Sequence, residues 1–298
     1  MAVLKGVTDM QIQNEYLLIE VADHGAELMR IYDKSRGIEL LWNGDPTFWG
    51  RRSPVLFPNV GKTWNNTMLI DGTSYPTSQH GFARDRDFEC VFSSGEKLSY
   101  LLRSDEQTRT RYPFDFELQI DYTLNGKELD VCWTVMNCSD RKMSFAIGGH
   151  PAFMFEKPGE TKHDYCLVFP ALDRLTHVSL DLSKGCAKPD QSFAIELQDH
   201  ALPLSDELFA NDALILDNCQ IEEAWLCRAD RTPLIGMRSV GFPNYGIWSV
   251  KGAPFVCLEP WAGRCDDCGF DKDFSQKNNI NILQPSESIK KAYQILIP

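Results

Sequence analysis

A chain of 298 residues with 43% hydrophobic and 24% charged content can bury a substantial core and is ordinary for a globular protein. Its net charge of −12 argues against nucleic-acid binding, which needs a basic face against phosphate, but leaves room for a small anion held by a local arginine cluster. The first residues, 1–6, carry no long apolar stretch of the secretory kind, and no apolar run approaches the roughly 20 residues that span a bilayer. A cytoplasmic protein is therefore expected, without membrane association, whose ten cysteines are free thiols.

Strand signals dominate along the chain. Residues 16–21 and 26–32 read as β-type runs, followed by the turn residues 33–37 and a further run at 38–42. Residues 68–70 lead into Asp71-Gly72. A hairpin is expected from 90–92 and 98–102 around Ser93-Ser94-Gly95-Glu96. Residues 116–124 and 128–136 flank Asn125-Gly126, a strong hairpin signal because both residues tolerate positive φ. Residues 205–212 read as a short helix with Ser205 as N-cap and Leu208-Phe209 facing inward. Residues 289–297 form the expected final strand. No strand-helix-strand alternation, internal repeat or linker is found. One all-β domain over 1–298, made of two packed antiparallel sheets with few short helices, is the simplest reading.

Glu259 closes the apolar run 255–258 and stands before Pro260-Trp261. A carboxylate placed there is costly to bury unless it is partnered or used. Two histidines sit in short, glycine-marked apolar contexts: His80 in Gln79-His80-Gly81-Phe82-Ala83-Arg84, and His150 in Gly148-Gly149-His150-Pro151-Ala152-Phe153. One carboxylate and two histidines suffice for paired acid and base catalysis near neutral pH. His150 is the better placed, since Gly148-Gly149 permits close backbone approach and Pro151 fixes the exit. His24, His163, His177 and His200 lie in polar or turn-like surroundings and read as bland.

The irregular segment 48–62 carries Arg51 and Arg52, which could clamp an anion or sugar hydroxyls or could simply be surface charges paired with acids. Cys265-Asp266-Asp267-Cys268 has C-x-x-C spacing, but no second pair stands at zinc distance, and the segment reads as an exposed turn. No metal, P-loop, nucleophile-elbow or dinucleotide motif occurs. Acid-base chemistry without cofactor or metal is the strongest enzymatic option.

Five segments in order, 53–61, 79–84, 149–153, 241–248 and 258–261, resemble the aldose 1-epimerases (mutarotases), and more closely their LacX-like branch. The resemblance implies a galactose-mutarotase-like β-supersandwich. It implies His150 as general acid, Glu259 as general base and His80 as the residue holding the anomeric end of the sugar. Asp212 matches a substrate-binding aspartate, and Gln79 and Trp261 of the same motifs are expected at the sugar. Arg84 resembles an arginine that sits near the phosphate in hexose-6-phosphate relatives. The arginine-rich stretch of galactose-type enzymes is replaced here by Lys62-Thr63-Trp64-Asn65-Asn66, which leaves Arg52 as the expected substitute.

The implied reaction opens the pyranose by protonating the ring oxygen while the anomeric hydroxyl is deprotonated, then recloses it on either face. Such chemistry requires an ionised Glu259 and a protonated His150. The expected partner is a sugar or sugar phosphate. A two-carboxylate glycoside hydrolase or lyase using Asp212 and Glu259, and a sugar-binding protein without activity, are the competing readings. Arg51, Arg52, Lys62 and Arg84 could converge on a phosphate. Trp49, Phe57, Trp248 and Trp261 could stack on a sugar face but read better as core.

Overall fold

The computed structural model describes residues 10–298. The segment 1–6, read above for a leader, lies outside the described residues. Among the described residues no helix is long and apolar enough to cross a membrane.

Every pairing between named strands is antiparallel, and two large sheets of nine and eight strands dominate. The nine-stranded sheet contains the hairpin expected around Asn125-Gly126, now Phe116–Asn125 and Glu128–Asn137. Their burial alternates residue by residue, because one face meets the core and the other meets water. Leu118, Ile120 and Tyr122 of the first strand and Val131, Trp133 and Val135 of the second enter the main apolar core. The final strand, Ser288–Leu296, pairs alongside Glu128–Asn137. A four-stranded sheet built from residues 10–39 packs its apolar face on the same core.

The eight-stranded sheet differs. Its central strand Phe255–Ala262 is buried at every position, so it shows no alternation with solvent. It has two apolar faces instead. Val256, Leu258 and Ala262 belong to the core between the sheets, whereas Phe255, Cys257 and Trp261 pack in separate clusters on the opposite face. Glu259 shares the parity of this second group and opens onto a cavity on that side.

Two expectations are corrected. Residues 205–212 form only the 3₁₀ turn Glu207–Phe209, with Asp206 and not Ser205 in front of it. The Asp206 carboxylate is committed to Lys162 Nζ at 2.8 Å and to the Gly252 N–H at 3.0 Å, so it offers no cap. Likewise, the Cys265–Cys268 segment is not an exposed turn. Asp266 and Lys277 form an ion pair of 2.7 Å with both side chains 3% exposed, and Arg264 bonds Asp217 and Asp267. All ten cysteines are free thiols.

Candidate active site

Glu259, 1% exposed, stands on the floor of a cavity of about 380 Å³. The neighbouring strands Ile147–Gly149 and Asn244–Trp248 each place a glycine where a side chain would collide with Trp261. A Cβ at Gly148 would lie 2.5 Å from the indole, and one at Gly246 would lie 2.4 Å from it. The ring of Trp261 therefore lies flat across the sheet and forms part of the cavity floor beside Glu259.

His150 follows directly on Gly149, and its Nε2 stands 3.2 Å from Glu259 Oε2. Trp49 stacks on the imidazole, with ring centroids 4.7 Å apart and planes 29° apart. Trp248 and His80 meet it edge-on at 5.5 and 5.6 Å. Neither carboxylate oxygen of Glu259, nor Nδ1 of His150, has a well-formed hydrogen bond. A buried polar pair left this open is built to receive a partner.

His80 is held differently. Its backbone N–H donates to the Gly61 carbonyl at 2.9 Å, and its Nδ1 accepts from the Gly61 N–H at 3.1 Å. Because Nδ1 is an acceptor, the neutral ring carries its proton on Nε2. The turn that presents it requires Gly81, where φ is +72° and a Cβ would stand 2.1 Å from the Phe57 carbonyl oxygen.

Burial sets the charges. It lowers the pKa of His150 to about 3, with the Arg84 and Arg51 charges adding to the effect. His80 is lowered well below the usual histidine range by burial, then by His150, Arg84 and Arg51. Glu259 is raised well above the carboxylate range by burial and by the Asp212 charge, against a smaller opposing pull from the Trp261 indole. Burial thus favours the neutral form of both partners, with the proton on the carboxyl rather than on the imidazole, against the expected ion pair.

The cavity brings together His80, His150, Glu259, Gln79, Arg84, Asp212 and Trp261. Asp212 sits exposed at the mouth, and Arg84 donates to the Gln79 carbonyl at 2.8 Å. Burial and the neighbouring Arg51 charge lower Arg84 to about 10. Arg52 is not brought to the cavity. Its Nη1 donates to the Met29 carbonyl at 2.5 Å, and its backbone N–H donates to Glu27 Oε1 at 2.7 Å. Arg51 lines the cavity in its place, bonded to Asp85 at 2.6 Å.

Of the four aromatics read as core, Trp49, Trp248 and Trp261 line the cavity and only Phe57 lies in the main core. Sequence reasoning missed Leu180, Leu182 and Gly185, which come from the tip of the hairpin Arg174–Asp181 and Cys186–Glu196. The run Asp181-Leu182-Ser183-Lys184-Gly185 is a turn signature, and the apolar Leu182 at its tip, 59% exposed, was the available signal.

The fold is thus an antiparallel double sheet with His150 and Glu259 in a cavity on the outer face of one sheet. The family model described as "Aldose 1-epimerase" matches residues 9–184, and the chain belongs to that family. The chromosomal protein LacX of Lactococcus lactis subsp. lactis is 28% identical over 307 residues, covering 97% of this chain and 99% of the relative. Among solved structures, a galactose mutarotase related enzyme from Lactobacillus acidophilus superposes with a TM-score of 0.91 and 32% identity, covering 98% and 97% of the two chains. A galactose mutarotase-like protein from Lactobacillus casei ATCC 334 gives 0.89 and 29%, covering 98% and 100%. The β-supersandwich expected from the motifs is thus the fold of the chain.

Proposed function

We propose that the protein is a cofactor-independent aldose 1-epimerase that interconverts the α and β anomers of a hexose or related sugar. The observation that carries this reading is the 3.2 Å contact between His150 Nε2 and Glu259 Oε2 on the cavity floor, with the rest of their polar atoms unpartnered. A hemiacetal carbon presents a hydroxyl to deprotonate and a ring oxygen to protonate side by side, which suits an acid and a base held this close.

In this reading the sugar's hydroxyls supply the hydrogen bonds that the Glu259 carboxylate lacks, and the proton moves from Glu259 to His150. Glu259 then takes the anomeric proton while His150 gives its own to the ring oxygen. After ring opening Glu259 is protonated and His150 neutral, the state that burial favours. The site is therefore set for the open-chain aldehyde, and rotation of the aldehyde followed by reclosure returns both protons. His80, fixed with its Nε2 proton outward, donates to a sugar oxygen.

Polarimetry on freshly dissolved α-glucose and α-galactose, read as the excess over spontaneous mutarotation, is the test. Glu259→Gln keeps the shape and removes the base, and should lower the catalysed rate by about 10² to 10⁴-fold. Unchanged mutarotation in this variant sinks the assignment. Release of a new reducing end from an oligosaccharide would favour the hydrolase, and sugar binding without rate enhancement the non-catalytic reading.

Arg51, Lys62 and Arg84 on the cavity wall support a second reading, in which the sugar carries a phosphate. The same assay with glucose 6-phosphate decides between them through the ratio of kcat/KM values.

A further inference from the structure

One buried group beside the acid-base pair has no part in the chemistry above. Cys257 is two residues before Glu259 on the same strand face, is 0% exposed, and lies under His150 in the cluster that also holds Trp49 and Trp248. The Sγ of Cys257, a ring nitrogen of His150 and a carboxylate oxygen of Glu259 all lie within 4.8 Å of one another. We propose that His150, Cys257 and Glu259 form a three-ligand site for a thiophilic divalent cation, with Zn²⁺ the fitting ion, whose binding excludes the sugar.

Three observations converge on this. The donor set is nitrogen, sulfur and oxygen, the combination that zinc accepts in tetrahedral geometry with a fourth position open. The geometry is nearly in place: zinc bonds of about 2.0 to 2.3 Å give tetrahedral edges of about 3.3 to 3.8 Å. The His150–Glu259 separation is already 3.2 Å, and the third ligand needs about 1 Å of side-chain movement. Finally, both oxygens of Glu259 are buried without a well-formed hydrogen bond and stand at the cavity floor, from which an ion can reach them.

Charge also balances. A thiolate, a carboxylate and a neutral imidazole neutralise Zn²⁺, so the loaded site buries no net charge. Loading releases two protons to water, one from the Cys257 thiol and one from the Glu259–His150 pair. The fourth position is left to water. Because the ion occupies the acid and the base together, inhibition is competitive with the sugar. The site itself does not rest on the epimerase assignment; only its inhibitory consequence does.

The test titrates the metal-free full-length protein with Co²⁺ and Zn²⁺. Co²⁺ should give a thiolate-to-metal charge-transfer band, and Zn²⁺ should displace it. Cys257→Ala should abolish the band, keep metal-free mutarotation, and weaken zinc inhibition by more than about a hundredfold, beyond what loss of an outer-sphere partner costs. Cys265→Ala, which removes the thiol on the cavity wall, should keep the band. Glu259→Gln, read by calorimetry because it is inactive, should weaken zinc binding while retaining the native circular dichroism spectrum. Absence of the band in the wild type, its survival in Cys257→Ala, or equal zinc sensitivity of the two proteins overturns the proposal. A Cys257-dependent band in a protein with no metal-free mutarotation upholds the metal site and overturns the epimerase reading instead.

Discussion

Trp49 lies over the imidazole of His150 with ring centroids 4.7 Å apart, and Trp248 closes a second side edge-on at 5.5 Å. The two indoles hold the imidazole in the orientation that turns Nε2 toward Glu259. An aromatic face also favours the imidazolium over the neutral ring once a proton arrives, through its quadrupole. Trp49→Ala should therefore lower kcat in polarimetry by about 10 to 100-fold, since a misplacement of about 1 Å can cost that much. Trp49→Phe should recover most of the loss, and equal rates for wild type and Trp49→Ala would refute the positioning role.

Arg51 and Arg52 should separate cleanly. Arg51 lines the cavity, so Arg51→Ala should raise KM for an anionic sugar by about tenfold with a smaller effect on kcat, the loss of one charge-assisted contact. Arg52→Ala should leave KM unchanged and cost about 1 to 2 kcal/mol in denaturant unfolding, because it removes the bond to the Met29 carbonyl. A reversal of the two phenotypes would put Arg52 back at the sugar.

Acid should destabilise the fold through its buried imidazoles. His150 is held down to about 3 from 6.5 and His80 is also lowered, so both stay neutral in the fold and take up protons on unfolding. Their contribution is complete above 6.5 and is lost as the pH falls toward 3. The slope is up to about 1.4 kcal/mol per pH unit for each. Glu259 has the opposite sign: its pKa is raised, so its contribution is complete below the ordinary value of 4.5 and is lost as the pH rises from there through its folded value, which offsets part of the histidine slope. Thermal unfolding between pH 7 and 4 should show a shallower acid slope in His150→Asn than in the wild type.

Gly246 tests the packing beneath the site. An added methyl would stand 2.4 Å from the Trp261 ring. Gly246→Ala should cost about 1 to 3 kcal/mol in urea unfolding, as overpacking does, and should raise KM by tilting Trp261 into the cavity. An unchanged KM would mean that Trp261 does not shape the sugar site.

What the sequence made legible follows from where water lies. Phe116–Asn125 and Glu128–Asn137 were readable because one face of each is wet, so side-chain polarity alternates. Phe255–Ala262, dry on both faces, announced itself only through the single carboxylate that interrupts it. His80, His150 and Glu259 were found from local chemistry, and the structure brings them into one cavity. Arg52 was chosen over Arg51 because nothing local distinguishes them. The choice is made by Glu27, whose carboxylate, 25 residues away, takes the Arg52 and Ser53 backbone N–H groups. The helix expected at 205–212 failed for a similar reason, since Lys162 and Gly252 claim Asp206 from afar. Long-range partners decide such cases, and a single sequence does not display them.

The two-faced strand Phe255–Ala262 carries one further consequence, for how the gene can change. Val256, Leu258 and Ala262 fill the core and the odd positions lie on the opposite face, where Glu259 and Trp261 line the cavity, so deleting or inserting one residue would swing the carboxylate of Glu259 into the apolar core and carry Leu258 to the cavity. Substitutions along this strand are graded in their cost, but a change of one residue in its length is all or nothing. The segment can drift in composition while its residue count stays fixed.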